Sequence, residues 1–183
     1  VCELPNSMEL IGGENIVVKN CQLGAQPTGI TCKVQEVNKL SFINNQVYPD
    51  GRENLVLDAC NNCVIEGNNF KSYYNGILVL NGNDNTVNKN IFWLTGAVQN
   101  QLLDHGDDFG IINVKGNNNM VASNSLSCEW AYAGAVTVNA VQGTGNVFKN
   151  CFVDNLESYR VFLVNAQTEV SNCVSSDKVS IVE

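Results

Sequence analysis

The residues with the clearest potential for chemistry lie in the segment LLDHGDDFG at residues 102–110. This segment holds Asp104, Asp107 and Asp108 beside His105, the single histidine of the chain. Carboxylates this close together could bind Ca²⁺ or supply acid–base chemistry, because crowded like charges raise a pKa. The alternatives are a solvated turn, which favours Asp and Gly, and a contact with substrate or another subunit. The oxygen spacing matches no metal loop that we can name, so we predict no metal site.

Two aromatic residues, Trp130 and Tyr132, follow in the segment CEWAYAG at residues 128–134. Aromatic faces stack on the C–H groups of sugar rings, while nearby carboxylates accept hydrogen bonds from sugar hydroxyls. The predicted substrate-binding residues are therefore Asp104, His105, Asp107, Asp108, Trp130 and Tyr132. A further tryptophan, Trp93, follows Phe92, and it either packs in the core at a bend or faces solvent.

Eight cysteines are present, and Cys60 and Cys63 form one CxxC motif. Zinc sites normally need a second pair of ligands at similar spacing, and none follows. The chain is also too rich in apolar residues to read as a small disulfide scaffold. The cysteines leave the cellular compartment open, with a secreted or cell-surface location slightly favoured.

Composition limits the class of protein. With 183 residues, of which 44% are apolar and 15% charged, we predict a single domain over residues 1–183. The formal net charge of −8 argues against a nucleic-acid partner, which needs a basic face. No run of about 18 apolar residues is present, so we expect no membrane span. Because the chain begins with Val1, we expect it to be processed, excised or a fragment.

A repeated pattern determines the expected fold. The pattern is an apolar residue, two residues of any type, Asn or Cys, one residue of any type, and a second apolar residue. Its Asn or Cys falls at seven positions, which are Cys21, Asn45, Asn68, Asn90, Asn124, Cys151 and Cys173. Repeats of 20-odd residues without a helical period predict an all-β parallel β-helix, here of about seven coils.

Asparagine is expected to define the corners of these coils, since the chain contains 29 of them. We predict that each repeated Asn adopts a left-handed backbone conformation and hydrogen-bonds to the equivalent Asn of the next coil. Cysteine can replace it at the same inward position, and we expect Cys151 and Cys173 to remain reduced. Insertions should all leave from one corner and line up on one side of the solenoid.

Three segments resemble the inulin fructotransferase family, glycoside hydrolase family 91. They are INNQVYPDG, NNFKSYYNGILVLNGNDNTVNKNIF and LLDHGDDFGIINVKGNNNMVASNSL, and the resemblance extends over roughly residues 8–126. It implies a right-handed parallel β-helix, usually a homotrimer, that holds the end of a fructan chain between subunits. It also implies no cofactor, and a reaction that forms or hydrolyses a difructose anhydride with one Asp and one Glu.

The family's catalytic glutamate matches Glu9 in the segment SMELIGG. Alternation along Met8, Glu9 and Leu10 directs the Glu9 side chain outward, although an ordinary exposed glutamate would do the same. The partner aspartate falls before Val1 in this register. We therefore expect the chain to be the C-terminal half of such an enzyme, without its N-terminal coils.

Two other functions remain open. A non-catalytic β-helix, either a binding module or a trimeric shaft, would share the solenoid and its corner residues but would not need the acidic and aromatic loops. A pectate-lyase-like enzyme would need Ca²⁺ and a basic residue. Arg52 and Arg160 are the only arginines, and the negative charge of the chain repels an acidic glycan.

Overall fold

The chain forms short parallel strands that build three sheets. The computed structural model describes residues 2–4, 7–24, 29–48, 53–73, 76–95, 108–129, 136–154, 158, 160–174 and 178–182. Sheet 1 contains β2 (Met8–Glu14), β5 (Cys32–Asn38), β8 (Leu55–Asp58), β11 (Leu78–Asn81), β14 (Ile112–Val114), β17 (Val138–Ala140), β20 (Phe162–Asn165) and β22 (Val179–Val182). Sheet 2 contains β3 (Val17–Lys19), β6 (Ser41–Ile43), β9 (Val64–Glu66), β12 (Thr86–Asn88), β15 (Met120–Ala122), β18 (Val147–Lys149) and β21 (Glu169–Ser171). Sheet 3 contains β1 (Cys2–Leu4), β4 (Cys21–Leu23), β7 (Gln46–Val47), β10 (Asn69–Ser72), β13 (Ile91–Leu94), β16 (Ser125–Cys128) and β19 (Phe152–Asp154).

Each coil passes through sheet 1, sheet 2 and sheet 3 in turn, which confirms the predicted parallel β-helix. Within the described residues, six coils are complete, from β2–β3–β4 to β17–β18–β19. The prediction of about seven coils was therefore too high. The seventh repeat, at Cys173, follows β20 and β21, but no described residue between Cys173 and β22 forms a strand of sheet 3. No helix among the described residues is long and apolar enough to cross a membrane.

The core is a set of stacked apolar rows inside the solenoid. Inward positions of adjacent strands are in register, as Phe70 of β10 is with Phe92 of β13. Their rings lie parallel, with centroids 5.0 Å apart, and Phe42 of β6 stacks on Phe70 at 6.3 Å. All three side chains are fully buried. Stacked rings add a directional contribution to the burial of apolar area, and they hold successive coils in one register.

The predicted asparagine ladder lies at the corner between sheets 2 and 3. Asn45 Nδ2 donates to Asn68 Oδ1 at 3.1 Å, Asn68 Nδ2 donates to Asn90 Oδ1 at 2.9 Å, and Asn90 Nδ2 donates to Asn124 Oδ1 at 3.0 Å. The ladder is confirmed, but the expected left-handed angle falls elsewhere. The residue before each ladder position has the positive φ, for example 54° at Asn44 and 54° at Lys89. The bend is made there, and the ladder side chain is thereby directed inward.

A second buried ladder, which the pattern search missed, lies at the corner between sheets 1 and 2. Asn85 Nδ2 donates to Asn119 Oδ1 at 3.0 Å, and Asn119 Nδ2 donates to Asn146 Oδ1 at 3.1 Å. Cys63 continues it, since its backbone N–H donates to Asn85 Oδ1 at 2.8 Å. Its sequence signal is an Asn or Cys two residues before the inward apolar residue of the four strands β9, β12, β15 and β18, as in Asn85-Thr86-Val87.

The longest and most variable connections run from sheet 3 to sheet 1. They range from three residues, at 5–7, to seventeen residues, at 95–111, whereas those from sheet 1 to sheet 2 contain only two to six residues. The connections from sheet 2 to sheet 3 are only one or two residues long. The ladder at that corner requires this constant length, because each coil must present its side chain at the same height. The longest insertions thus leave from one corner, as predicted, although the corner between sheets 1 and 2 also varies by a few residues. The ends of the long insertions position the site described next.

Candidate functional site

Asp108 is the member of the predicted acidic cluster whose surroundings the structure describes. It lies at the corner between sheets 3 and 1, shortly before β14. Its Oδ1 accepts a hydrogen bond from Arg160 Nη1 at 2.9 Å, and its backbone carbonyl accepts one from Asn139 Nδ2 at 2.7 Å. An ion pair with side chains 56% and 25% exposed is worth at most about 1 kcal/mol. Its main effect is to orient Asp108, since three successive coils contribute to these contacts.

An open polar cleft of about 180 Å³ lies beside this ion pair. Its lining residues are Asp108, Phe109, Asn113, Val114, Lys115, Asn139, Val141 and Gln142. The carboxylate of Asp108 accepts hydrogen bonds, the ammonium of Lys115 donates them, and the amide of Gln142 does both. A ligand rich in hydroxyl groups matches this mixture, because each hydroxyl both donates and accepts.

Two local contacts hold the base of the cleft in place. Gly110 N donates to Asn113 Oδ1 at 2.9 Å, and Asn113 Nδ2 donates to the Gly110 carbonyl at 2.8 Å. Gly76, with φ of 76°, donates its N–H to the Gly110 carbonyl at 2.8 Å. A Cβ atom at Gly76 would lie 2.7 Å from the ring of Phe109. Only glycine permits both this backbone angle and this close approach.

The remaining predicted substrate-binding residues lie outside the described residues. They are Asp104, His105, Asp107, Trp130 and Tyr132. Their chain segments, 96–107 and 130–135, both belong to connections from sheet 3 to sheet 1. The predictions about their roles are not tested by the structure.

Glu9 occupies the outer face of β2, as the alternation predicted. Burial alternates along the strand, with Met8 and Leu10 partly buried and Glu9 exposed. The Glu9 carboxylate Oε1 lies 3.1 Å from Lys33 Nζ on β5. This pair resembles the neighbouring one between Glu14 and Lys39, whose atoms are 2.9 Å apart. There, the hydrogen bond from Lys39 lowers the pKa of Glu14.

Glu9 and the Asp108 cleft are far apart within one copy of the chain. The column of Cα partners on sheet 1 runs from Glu9 through Lys33, Val56 and Val79 to Asn113 at the cleft. Four strand spacings of about 4.8 Å separate its ends by roughly 19 Å. Paired carboxylates of glycoside hydrolases lie roughly 5 to 10 Å apart. Glu9 and Asp108 of one copy therefore cannot act on the same bond.

Trp93 faces solvent on the outer face of sheet 3, which decides between the two alternatives left open by the sequence. Its side chain is 36% exposed. Its indole Nε1 donates to Glu129 Oε1 at 2.9 Å, and Lys71 Nζ lies 4.4 Å from the ring centroid. Sequence reasoning missed Lys71 as a partner, because their proximity follows from the register of β10 and β13. The available signal for the outward position of Trp93 was the alternation along β13, which directs Phe92 inward and Trp93 outward.

The CxxC cysteines are buried among backbone carbonyls. Cys60 Sγ lies 3.3 Å from the Asp58 carbonyl, and Cys63 Sγ lies 3.3 Å from the Asn61 carbonyl. A hydrogen bond with Cys63 lowers the pKa of Cys60 to about 7, and the same contact, together with burial, raises the pKa of Cys63. In the described part of the chain, no group of three His, Cys, Asp or Glu side chains is placed to hold a metal ion.

The fold and a family comparison together define the class of protein. A family model described as "Right handed beta helix region" matches residues 28–181, which is most of the chain. The chain belongs to this right-handed β-helix family, and the expected handedness is confirmed. No curated protein matches the chain.

Solved structures of one protein, DFA-IIIase from Arthrobacter chlorophenolicus A6, are similar to this chain. The structure without its lid aligns with a TM-score of 0.82 and 23% identity, over 98% of this chain and 47% of that one. The complex with GF2 aligns with a TM-score of 0.78 and 20% identity, over 96% and 49% of the two chains. A complex with DFA-III gives a TM-score of 0.75 and 19% identity, over 96% and 51%. The chain therefore spans about half the length of these relatives, and the likeness establishes a shared fold.

Proposed function

We propose that this chain belongs to a carbohydrate-active β-helix protein of the inulin fructotransferase type. It would act at the ends of fructan chains and form, or hydrolyse, a difructose anhydride. The observation that carries the proposal is the polar cleft beside Asp108 and Arg160, whose mixed donors and acceptors suit sugar hydroxyls. The fold shared with DFA-IIIase, which was crystallised with DFA-III and with GF2, supports the same substrate class.

The proposed chemistry requires two carboxyl groups. One protonates the departing glycosidic oxygen, and the other stabilises the oxocarbenium-like centre or accepts a proton. In the transfer reaction, a hydroxyl of the neighbouring fructose attacks the anomeric carbon. It competes well with water, since tethering gives it a high effective concentration. We assign one carboxyl role to Glu9. We assign substrate contacts to the residues predicted from the sequence, which are Asp104, His105, Asp107, Asp108, Trp130 and Tyr132. No cofactor is needed.

The separation of Glu9 from the cleft suggests how Glu9 and the substrate contacts of Asp108 could be brought together. If the protein is a homotrimer, as the resemblance implies, the cleft of one copy can face Glu9 of the next. A fructan end would then lie between two subunits, with its sugar hydroxyls on the Asp108 side and its scissile bond near Glu9. The roughly 19 Å within one copy would no longer limit the chemistry.

The first experiment compares three proteins with inulin and with difructose anhydride, followed by product chromatography. Any cyclic disaccharide or inulobiose that the wild type releases is expected to be lost in Glu9→Gln, and the wild type is expected to bind fructan oligosaccharides even if the missing partner aspartate leaves it without turnover. Glu14→Gln is the matched control, because Glu14 lies on the same strand and also pairs with a lysine. Equal activity of Glu9→Gln and Glu14→Gln would exclude Glu9. An inactive wild type that also binds no fructan oligosaccharide would overturn the proposal.

A complementation experiment tests the shared site. Glu9→Gln and Asp108→Asn chains are each expected to be impaired, and light scattering reports whether they form trimers. In a random mixture, about a quarter of the interfaces combine an intact Glu9 with an intact cleft, so about a quarter of the wild-type activity should return. No recovery in mixed trimers would show that the two residues do not belong to one intersubunit site.

A non-catalytic binding module is the second candidate function. The observation that favours it is the environment of Glu9, whose side chain is 53% exposed and paired with Lys33 like an ordinary surface glutamate. Exposed pairs of this kind contribute little and are common. Fructan binding without turnover, unchanged by Glu9→Gln, would support this function over the catalytic one.

A further inference from the structure

The outer face of sheet 3 carries a row of large polar and aromatic side chains on three successive coils. Tyr48 follows β7, Lys71 lies on β10 and Trp93 lies on β13, and Lys71 and Trp93 are Cα partners. Lys71 Nζ lies 4.4 Å from the Trp93 ring centroid. The Tyr48 hydroxyl donates to Gln46 Oε1 at 2.8 Å. Each aromatic ring is thus held by a polar neighbour while it stays exposed.

A shallow cleft of about 80 Å³ lies between the two rings. Its lining residues are Gln46, Val47, Tyr48, Asn69, Lys71 and Trp93. Tyr48 and Trp93 are two strand spacings apart, or roughly 10 Å, with Lys71 between them. The amides of Gln46 and Asn69 and the ammonium of Lys71 offer hydrogen bonds along the floor.

The packing of the sheet does not require these aromatic side chains. The matching inward row, Val47, Phe70, Phe92 and Leu126, is buried and apolar. In the outward row, Trp93 is instead followed by Ser127, its Cα partner on β16. An exposed cation–π contact such as that between Lys71 and Trp93 stabilises by only about 0.5–1 kcal/mol. A function at the surface gives a better account of an exposed tryptophan here.

We propose that this cleft is a binding subsite for a neutral oligosaccharide. A sugar ring would stack on Trp93 or Tyr48, and its hydroxyls would bond to Lys71, Asn69 and Gln46. The cleft is too shallow to enclose a monosaccharide, so it suits a chain that passes across the surface. The subsite rests on the proposed function only for the ligand class, and it lies on a different sheet from the Asp108 cleft.

Tryptophan fluorescence can test the subsite directly, because the chain has two tryptophans. In the Trp130→Phe variant, Trp93 is the remaining reporter. Titration with fructo-oligosaccharide should give a saturable change in its emission. Oligogalacturonate is an anion and should give a smaller change in emission. The repulsion from the net negative charge of the protein should outweigh its attraction to Lys71. Cello-oligosaccharide serves as a second neutral ligand. A larger emission change with oligogalacturonate, or no change with either neutral ligand, would overturn the proposal.

Calorimetry then compares variants on the wild-type background. Trp93→Ala should bind fructo-oligosaccharide about tenfold more weakly, which corresponds to about 1.4 kcal/mol. Phe152→Ala is the matched control, since Phe152 is an exposed aromatic residue on the same sheet, 52% exposed and outside the cleft. Equal affinities of these two variants would refute the subsite. Should Trp93→Ala fail to fold, Lys71→Met, which keeps the aliphatic stem, provides the same comparison.

The outcomes separate this proposal from the proposed activity. If fructan is not converted but Trp93 fluorescence still responds to neutral oligosaccharides, the subsite stands and the activity fails. If fructan is converted while Trp93 fluorescence does not respond, the activity stands and the subsite fails.

Discussion

Replacing Asn68 with alanine tests how much the buried ladder contributes to stability. The Asn68 side chain makes four hydrogen bonds. Its Oδ1 accepts from Asn45 N at 2.8 Å and Asn45 Nδ2 at 3.1 Å, and its Nδ2 donates to the Phe42 carbonyl at 2.8 Å and to Asn90 Oδ1 at 2.9 Å. Asn68 is 1% exposed, so water cannot replace these bonds.

The magnitude follows from the groups that lose a partner. Asn45 Nδ2 keeps its bond to the Val18 carbonyl, and Asn90 Oδ1 keeps the N–H of residue 68. The buried Asn45 N–H loses its acceptor, and the Phe42 carbonyl loses a donor. At about 1–3 kcal/mol for each unsatisfied group, we expect the free energy of unfolding to fall by about 3 kcal/mol.

Equilibrium unfolding in urea measures this loss by circular dichroism and by tryptophan fluorescence. With an m-value of roughly 2–3 kcal/mol/M, the midpoint should fall by about 1 M. Asn69→Ala is the matched control, because this neighbouring asparagine is exposed and should change stability by less than about 0.5 kcal/mol. Asn68→Cys should lose less than Asn68→Ala, since Cys173 Sγ accepts from Cys151 N at 3.4 Å in the same ladder. Equal midpoints for Asn68→Ala and Asn69→Ala would refute the reasoning.

Two further predictions concern the core and its corners. Gly116→Ala should destabilise the protein by several kcal/mol, roughly the cost of overpacking a core, because the new Cβ would meet the Gly82 carbonyl of the preceding coil. Gly29→Ala is the control, since nothing lies within 4 Å of its Cβ position, and similar melting temperatures for both variants would contradict the prediction. Burial raises the pKa of Cys32 from 9.0 to about 12. Between these pH values the unfolded chain releases this proton and the folded chain retains it, so stability should fall by up to about 1.4 kcal/mol per pH unit. Urea unfolding measures the free energy of unfolding at pH 8 and at pH 11. Its decrease between these pH values should be smaller for Cys32→Ala than for the wild type. Equal decreases would show that this thiol does not titrate as expected.

Much of the fold could be predicted from the sequence, because its determinants are local. The spacing of apolar residues and asparagines repeats once per coil, and the alternation within each strand assigns side chains to the inside or the outside. Asn68 and Phe70 were therefore identifiable as inward residues, and Glu9 as an outward one. The left-handed residue was misplaced by one position. The pattern identifies the corner position that recurs as Asn or Cys. The positive φ that turns the chain belongs to the residue before it.

The site could be predicted only in part, because its contacts cross coils. Asp108 was identifiable from the composition of its segment, but its pairing with Arg160 joins residues 52 positions apart. The contact between Lys71 and Trp93 likewise depends on the register of two strands.

By itself, the sequence determined the solenoid, its inner and outer faces and the corner from which the insertions leave. The tertiary structure decided what those faces bring together. It joined Asp108 to Arg160, exposed Trp93 beside Lys71 and separated Glu9 from the cleft by four strand spacings. The physical reason is that a repeat specifies the environment of each residue within its own coil. Which residues become neighbours across coils depends on the lengths of the insertions between them and on the register in which the coils stack.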